Sequence, residues 1–113
     1  MHELGIVYEV IKIVDDFVVT NGITKVEKIV LEIGQLSQAI PRFIQECYPA
    51  AVDDTAYVDT ELEIETLPAI AQCGDCMELY NIIEHQKTCP KCNSKKYELK
   101  SGQEFNIKEI LAC

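Results

Sequence analysis

The sequence predicts an α+β fold, a small helix–sheet unit with a compact metal-bound module inserted near its end. Three observations predict it. Apolar residues open the chain at helical spacing, strand-like alternation occupies 25–33, 61–67 and 105–111, and a cysteine block lies between the last two alternating runs. The chain has 113 residues and an apolar share of 48%. That length suits one compact domain with room for a small satellite, and that apolar share excludes wholesale disorder.

The elements follow in order. Leu4, Val7, Ile11, Val14 and Val18 recur at three- and four-residue steps, with Val10 and Phe17 widening the stripe, so a first amphipathic helix is expected. Asn21-Gly22 stops it, because Gly readily takes the left-handed cap conformation. In the strand from Lys25 to Ile33, Ile29, Leu31 and Ile33 share one face, and Lys28, Val30 and Glu32 the other. Gly34 to Ser37 is a turn, and Pro41 suits the first turn of a second helix. Phe43, Ile44, Cys47 and Tyr48 form the buried side of that helix, and Pro49 is expected to end or kink it. In the strand from Glu61 to Leu67, Leu62 and Ile64 oppose Glu61, Glu63 and Glu65, the pattern of a sheet with one wet face. Phe105, Ile107, Glu109 and Leu111 are expected on one face of a last strand that rejoins the first sheet. The cysteine block then becomes an insertion between two neighbouring strands. The division expected is 1–68 plus 103–113 for the helix–sheet domain and 69–102 for the insertion.

The insertion carries the strongest chemical signal. Cys73-Gly74-Asp75-Cys76 and Cys89-Pro90-Lys91-Cys92 are two C-x-x-C pairs separated by twelve residues. Each pair puts two thiolates on one tight turn, and two facing turns supply four sulfurs at tetrahedral corners, as a closed structural zinc site requires. Pro90 stiffens the second turn, Asp75 and Lys91 sit inside the loops, and Tyr80 and Ile82 are packing residues of the intervening hairpin of a zinc ribbon. Disulfides are disfavoured in the reducing cytosol expected below, and a thioredoxin-type centre needs one C-x-x-C at a helix start. Zinc is favoured over iron, and with no open coordination position the metal is structural. Cys47 reads as a small core residue. Cys113 receives no role, and His85, in the hairpin, is expected to be exposed.

The N-terminus offers a different donor set. The Met1 amine, the His2 backbone nitrogen and the His2 imidazole can close fused chelate rings around one ion, a nitrogen set suited to Ni(II) or Cu(II). Glu3 could add a nitrogen, a carboxylate oxygen or a hydrogen bond that orients the imidazole. The residues alone leave this open against a disordered surface terminus.

Met1-His2-Glu3-Leu4, Val30 to Ile33 running into Gly34-Gln35-Leu36-Ser37, Leu62 to Glu65, the two C-x-x-C pairs and Gly102 to Ile107 occur in that order. In this combination the whole chain resembles the hydrogenase nickel-incorporation protein family HypA/HybF. The resemblance implies a nickel metallochaperone for [NiFe]-hydrogenase maturation. Its implied partners are the accessory GTPase HypB and the hydrogenase large subunit, with urease as a further client in some relatives. It implies that His2, with Glu3 and Met1 beside it, holds nickel as cargo, and that Cys73, Cys76, Cys89 and Cys92 hold structural zinc. It likewise implies that the helix–sheet domain is the nickel-binding one. Gly5, Gln35 and Pro49 depart from the family's usual residues, and none of them removes a proposed ligand.

Composition limits the alternatives. With 19 Asp+Glu against 10 Lys+Arg, the formal charge is −9, which argues against nucleic acid as a partner and against a nucleic-acid-binding zinc ribbon. No apolar run approaches a membrane span and the start lacks the basic character of a signal peptide, so a cytoplasmic protein is expected. No nucleophile with a base, phosphate-cradling loop or open metal position is visible, so the chain is not read as an enzyme. A weak homodimer is the only self-association expected.

Overall fold

The computed structural model describes residues 2–112; Met1, the His2 side chain and Cys113 lie outside the described residues. Helix α1 (His2–Asn21) buries Val7, Val10 and Val14, with Leu4, Ile11 and Val18 half-buried around them. Phe17 departs from the expected stripe: it lies on its flank and stays 44% exposed. The helix ends as a Schellman motif. Gly22 adopts φ +63°, Ile23 N–H donates to the Val18 carbonyl at 3.1 Å, and the two side chains both pack on the core.

Strand β1 (Val26–Gly34) is central. It runs parallel to β2 (Glu61–Leu67) on one side and antiparallel to β6 (Phe105–Ala112) on the other. Helix α2 (Pro41–Val52) makes the crossover between β1 and β2 and packs on α1. Ile29, Leu31 and Ile33 are fully buried beneath the helices, paired with Leu62, Ile64 and Thr66 of β2. The opposite face is charged. Lys28 pairs there with Glu61 at 3.1 Å and Glu63 at 3.3 Å, and Lys108 with Glu65 at 2.9 Å. Exposed pairs of this kind fix register more than they add stability.

Three expectations about the elements are corrected. Pro49 does not end α2, which runs on to Val52. The proline forfeits one N–H bond, but Ala51 and Val52 beyond it are buried and hold the last turn against the core. Phe43 is only half-buried, with the Arg42 guanidinium 4.7 Å above its ring. In β6 the register shifts between Val30 and Leu31, so Lys108 is an extra residue. Phe105 and Ile107 face the core as expected, but after this bulge Ile110 takes the core position and Leu111 turns to the charged face.

The cysteine segment leaves from β2 and returns as β6, and these strands lie at opposite edges of the sheet with β1 between them. They are neighbours in the chain and not in the sheet, which corrects the expectation of an insertion between neighbouring strands. The segment builds a second antiparallel sheet of β3 (Ile70–Cys73), β4 (Leu79–Asn81) and β5 (Tyr97–Leu99), in the order β4-β3-β5. Its buried cluster is small: Ala69, Ala71, Cys73, Tyr80, Ile82 and Cys89.

The junction is tight. Gly34 and Leu36 N–H groups donate to Glu104 and Gly102 carbonyls at 2.8 and 2.7 Å, and Gln35 N–H to Leu67 at 2.9 Å, so the end of β1 grips both linkers. The Gln35 side-chain oxygen accepts from Ala69 N–H at 2.8 Å and from Asn81 Nδ2 at 3.1 Å. Gly102 takes φ +123°, where a Cβ would lie 2.7 Å from Ala69 Cα, so only glycine fits. No helix among the described residues is long and apolar enough to cross a membrane.

Two buried tyrosines tie α2 and its following loop to the remainder. Tyr48 donates to the Thr60 carbonyl at 2.8 Å, and Tyr57 to Asp15 on α1 at 2.7 Å. Burial pushes Tyr48 up to about 12, and burial with the Asp15 hydrogen bond does the same for Tyr57. Both phenols hold their protons more tightly when folded than the ordinary value of 10. Their contribution is therefore complete below pH 10 and is lost as pH rises towards 12. Thermal melts are expected to be level approaching pH 10 from below, then to fall steeply, with a shallower fall in Tyr57→Phe; an identical alkaline slope in that variant would contradict the assignment.

Candidate metal centre

The two C-x-x-C loops fold alike. In each, the first cysteine's N–H donates to the carbonyl five residues on: Cys73 to Glu78 at 2.8 Å and Cys89 to Ser94 at 2.9 Å. In each, the residue four positions on donates back, Met77 to Cys73 at 3.1 Å and Asn93 to Cys89 at 2.9 Å. Met77 and Asn93 both sit at positive φ, 66° and 63°, which completes the turn. The N–H two residues after the first cysteine aims at its sulfur: Asp75 at Cys73 Sγ and Lys91 at Cys89 Sγ, each at 3.4 Å. The Ser94 hydroxyl, in the second loop, donates to the Asp75 carboxylate in the first. This conformational repeat was not legible beyond the cysteines themselves, because the left-handed positions are held by Met and Asn, with no glycine to mark them.

The loops face one another and bring all four predicted sulfurs together, within 4.8 Å of each other. Cys73 Sγ lies 3.5 Å from Cys92 Sγ, and Cys76 Sγ 3.5 Å from Cys89 Sγ. A tetrahedral zinc ion with bonds of ~2.3 Å needs sulfur separations of about 3.8 Å, so the set fits structural zinc with small adjustment. Cys73 and Cys89 are buried against the small apolar cluster, Cys76 is half-buried and Cys92 exposed. The centre thus has an inner pair on the protein side and an outer pair at the surface.

The electrostatics favour a cation. N–H groups of Cys76 and Asp75 pointing at its sulfur bring Cys73 down to about 6, making it a ready thiolate. At Cys92 the Ser94 N–H pulls the same way, but the neighbouring sulfurs, that of Cys73 first, together with desolvation in the crowded centre outweigh it, and the thiol is pushed up to about 12. Four sulfurs at this spacing cannot all ionise on their own; a divalent ion among them removes the conflict.

The other sequence-predicted residues lie elsewhere. Cys47 is buried in the main core, as expected of a small apolar residue. His85 is exposed, its ring edge-on to Tyr80 with centroids 6.1 Å apart, and is not part of the sulfur set. Tyr80 and Ile82 are buried packing residues. Helix α1 starts at His2, and Glu3 in its first turn is buried at 8% exposure. Met1 and the His2 side chain, the remaining nickel residues expected, lie outside the described residues. Among the described residues the four cysteines are the one cluster of His, Cys, Asp or Glu arranged to hold a metal ion.

Comparison with known proteins agrees with this architecture. Residues 1–112 match the family model for HypA, hydrogenase/urease nickel incorporation, metallochaperone. The hydrogenase maturation factor HypA of Chlorobium limicola is 33% identical over 110 residues, covering 97% of this chain and 95% of the relative. That of Actinobacillus succinogenes is 34% identical over 110 residues, covering 97% of both. The solution structure of the nickel metallochaperone HypA from Helicobacter pylori aligns over 97% of this chain and 96% of its own, with TM-score 0.65 at 19% identity. A second HypA solution structure aligns over 100% of this chain and 97% of its own, with TM-score 0.70 at 22% identity.

Six buried side chains are too few to hold the second sheet alone, so metal binding there is folding free energy. Treating the protein with a zinc chelator is expected to raise amide exchange of Ala71 and Cys73 at least ~10-fold while Ile29 and Leu31 of β1 stay protected. Unchanged protection of β3 after the metal is gone would show that the segment folds without it.

Proposed function

The chain belongs to the HypA family of nickel-incorporation metallochaperones, which act in hydrogenase maturation and are not enzymes, and from that premise we propose how this member works. Residues 1–68 plus 103–113 form the nickel-binding domain, and 69–102 form a zinc ribbon whose ligands are Cys73, Cys76, Cys89 and Cys92. Ni(II) is cargo, taken by the Met1 amine, the His2 backbone nitrogen and the His2 imidazole, with Glu3 beside them. The observation that carries this reading is the placement of His2 at the first position of α1. Backbone N–H groups in a helix's first turn have no acceptor within the helix, so the His2 nitrogen is not committed to structure. The helix itself is anchored by Val7, Val10 and Val14, which gives the terminal donors a fixed base.

The donor sets separate the metals. Ni(II) favours a planar nitrogen set and can displace an amide proton, whereas zinc is held by four soft sulfurs in a tetrahedron. Nickel is released when the imidazole regains its proton or when a partner offers a better donor set. The partners we propose are the GTPase HypB and the hydrogenase large subunit, in the cytoplasm, with urease as a further client. Charge suits this assignment. The region 69–102 holds five of the ten basic residues and four of the nineteen acidic ones, so the helix–sheet part carries all of the negative excess. That excess favours a cation and repels nucleic acid.

Ni(II) titration calorimetry on the native protein, His2→Ala and a variant with one residue added ahead of Met1 tests the cargo site. Both changes are expected to abolish specific nickel binding and leave zinc content and melting temperature unchanged, and native binding should weaken as pH falls through ~6.5, where imidazole protonates. Equal affinities across the three proteins would move nickel elsewhere.

HypB is expected to dock on the helix–sheet domain, because cargo passed without release must lie near the contact. Pull-down of HypB should survive chelation of the ribbon zinc. Its loss, with the helix–sheet domain shown to be folded, would place the dock on the ribbon instead.

A further inference from the structure

Tyr80 lies at the centre of the ribbon's small core, yet its hydroxyl is idle. The residue is 5% exposed, and its oxygen is the one buried side-chain N or O atom among the described residues without a hydrogen-bond partner. A buried hydroxyl with no partner is unfavourable, and phenylalanine would fill the same space without that cost. Such an orphan asks for an acceptor that only the complete site supplies.

The strand register shows where that acceptor is. Tyr80 on β4 stands opposite Ala71 on β3. Cys73 is two residues further along β3, on the same face, so it is the diagonal neighbour of Tyr80, a distance that an aromatic side chain spans. Cys89 belongs to the same buried cluster as Cys73 and Tyr80. The phenol therefore shares its buried cluster with the inner pair, on the face of β3 that carries Cys73. The loops' own donors leave capacity there. Cys73 Sγ receives two N–H groups, from Asp75 at 3.4 Å and Cys76 at 3.5 Å, whereas for Cys89 Sγ a single one is recorded, from Lys91 at 3.4 Å. Four thiolates around a divalent ion carry net negative charge, and on the buried side no solvent is at hand to satisfy it. The His85 ring packs edge-on against the phenol at 75°.

We infer that the Tyr80 hydroxyl donates a hydrogen bond to an inner-pair sulfur of the metal-loaded centre, Cys89 being the one with acceptor capacity left, and so acts as a positioning residue for the bound metal. This rests on the zinc-ribbon reading above. The hydrogen bond would spread the thiolate charge, favour the loaded state and lower the sulfur's reactivity towards competing electrophiles.

Tyr80→Phe keeps the ring and removes the donor. In the Co(II)-substituted full-length protein, its sulfur-to-cobalt charge-transfer band is expected to move to lower energy, because a thiolate freed of a hydrogen bond gives up electrons more easily. Zinc affinity by chelator competition should fall about 10-fold. The band decides: an unmoved band in the folded variant overturns the inference while leaving the zinc site intact. Absence of any charge-transfer band in the native protein would overturn the four-sulfur reading and this inference together. Native protein loaded with ¹¹³Cd gives a second measurement, should the variant not fold. Scalar coupling between the metal and the Tyr80 hydroxyl proton supports the bond, and a hydroxyl proton in fast exchange with water, without coupling, overturns it.

Discussion

The closure of the whole fold depends on a segment that cannot bury enough apolar surface to hold itself. Between β2 and β6 the chain crosses from one edge of the main sheet to the other, and it does so through a three-stranded module with six buried side chains. Two of those six are cysteines whose sulfurs point into the metal centre. Burial at about 25 cal/mol per Å² over so few small residues does not offset the conformational entropy of some thirty ordered ones. The sulfur set makes up the difference, since one divalent ion closes two distant loops at once.

The junction converts that local order into a fixed path. The end of β1 donates three backbone hydrogen bonds to the two linkers, and Gln35 spans to Ala69 and Asn81 with a single oxygen. Both contacts use the Gln35 side chain as an acceptor, a role a carboxylate could fill as well. Gly34 and Gly102 allow the linkers to cross at backbone contact, since a Cβ on Gly34 would clash with the Gly102 carbonyl. With no slack at this crossing, the ribbon is seated against the sheet end, and β6 is delivered in register for Phe105 and Ile107 to complete the core.

The elements were legible wherever one periodicity ran without interruption. Leu62 and Ile64 against three glutamates gave β2 its bounds and its faces, and Gly22 marked the end of α1. The misses have physical causes. A bulge inserts a residue that alternation does not anticipate, so Ile110 and Leu111 exchange faces after Lys108. A proline in the last helical turn is tolerated when the residues beyond it are buried, as Ala51 and Val52 are. Pairing order is a tertiary property, so spacing along the chain gave no sign that β1 separates β2 from β6. For the metal centre the cysteine spacing specified all four sulfurs, but the identical turns at Met77 and Asn93 carried no residue signal, and the idle hydroxyl of Tyr80 emerges only from packing.

The proposed cargo site and the sulfur centre use opposite chemistry for opposite purposes. A structural ion must stay, and the sulfur loops meet that demand with four thiol ligands, several N–H groups aimed at them and an apolar inner wall. A cargo ion must leave. The cargo site proposed above draws on the first residue of a helix, whose backbone N–H has no acceptor within the helix. On that proposal, cargo and structural metal are kept apart by ligand softness, nitrogen donors for nickel and four sulfurs for zinc.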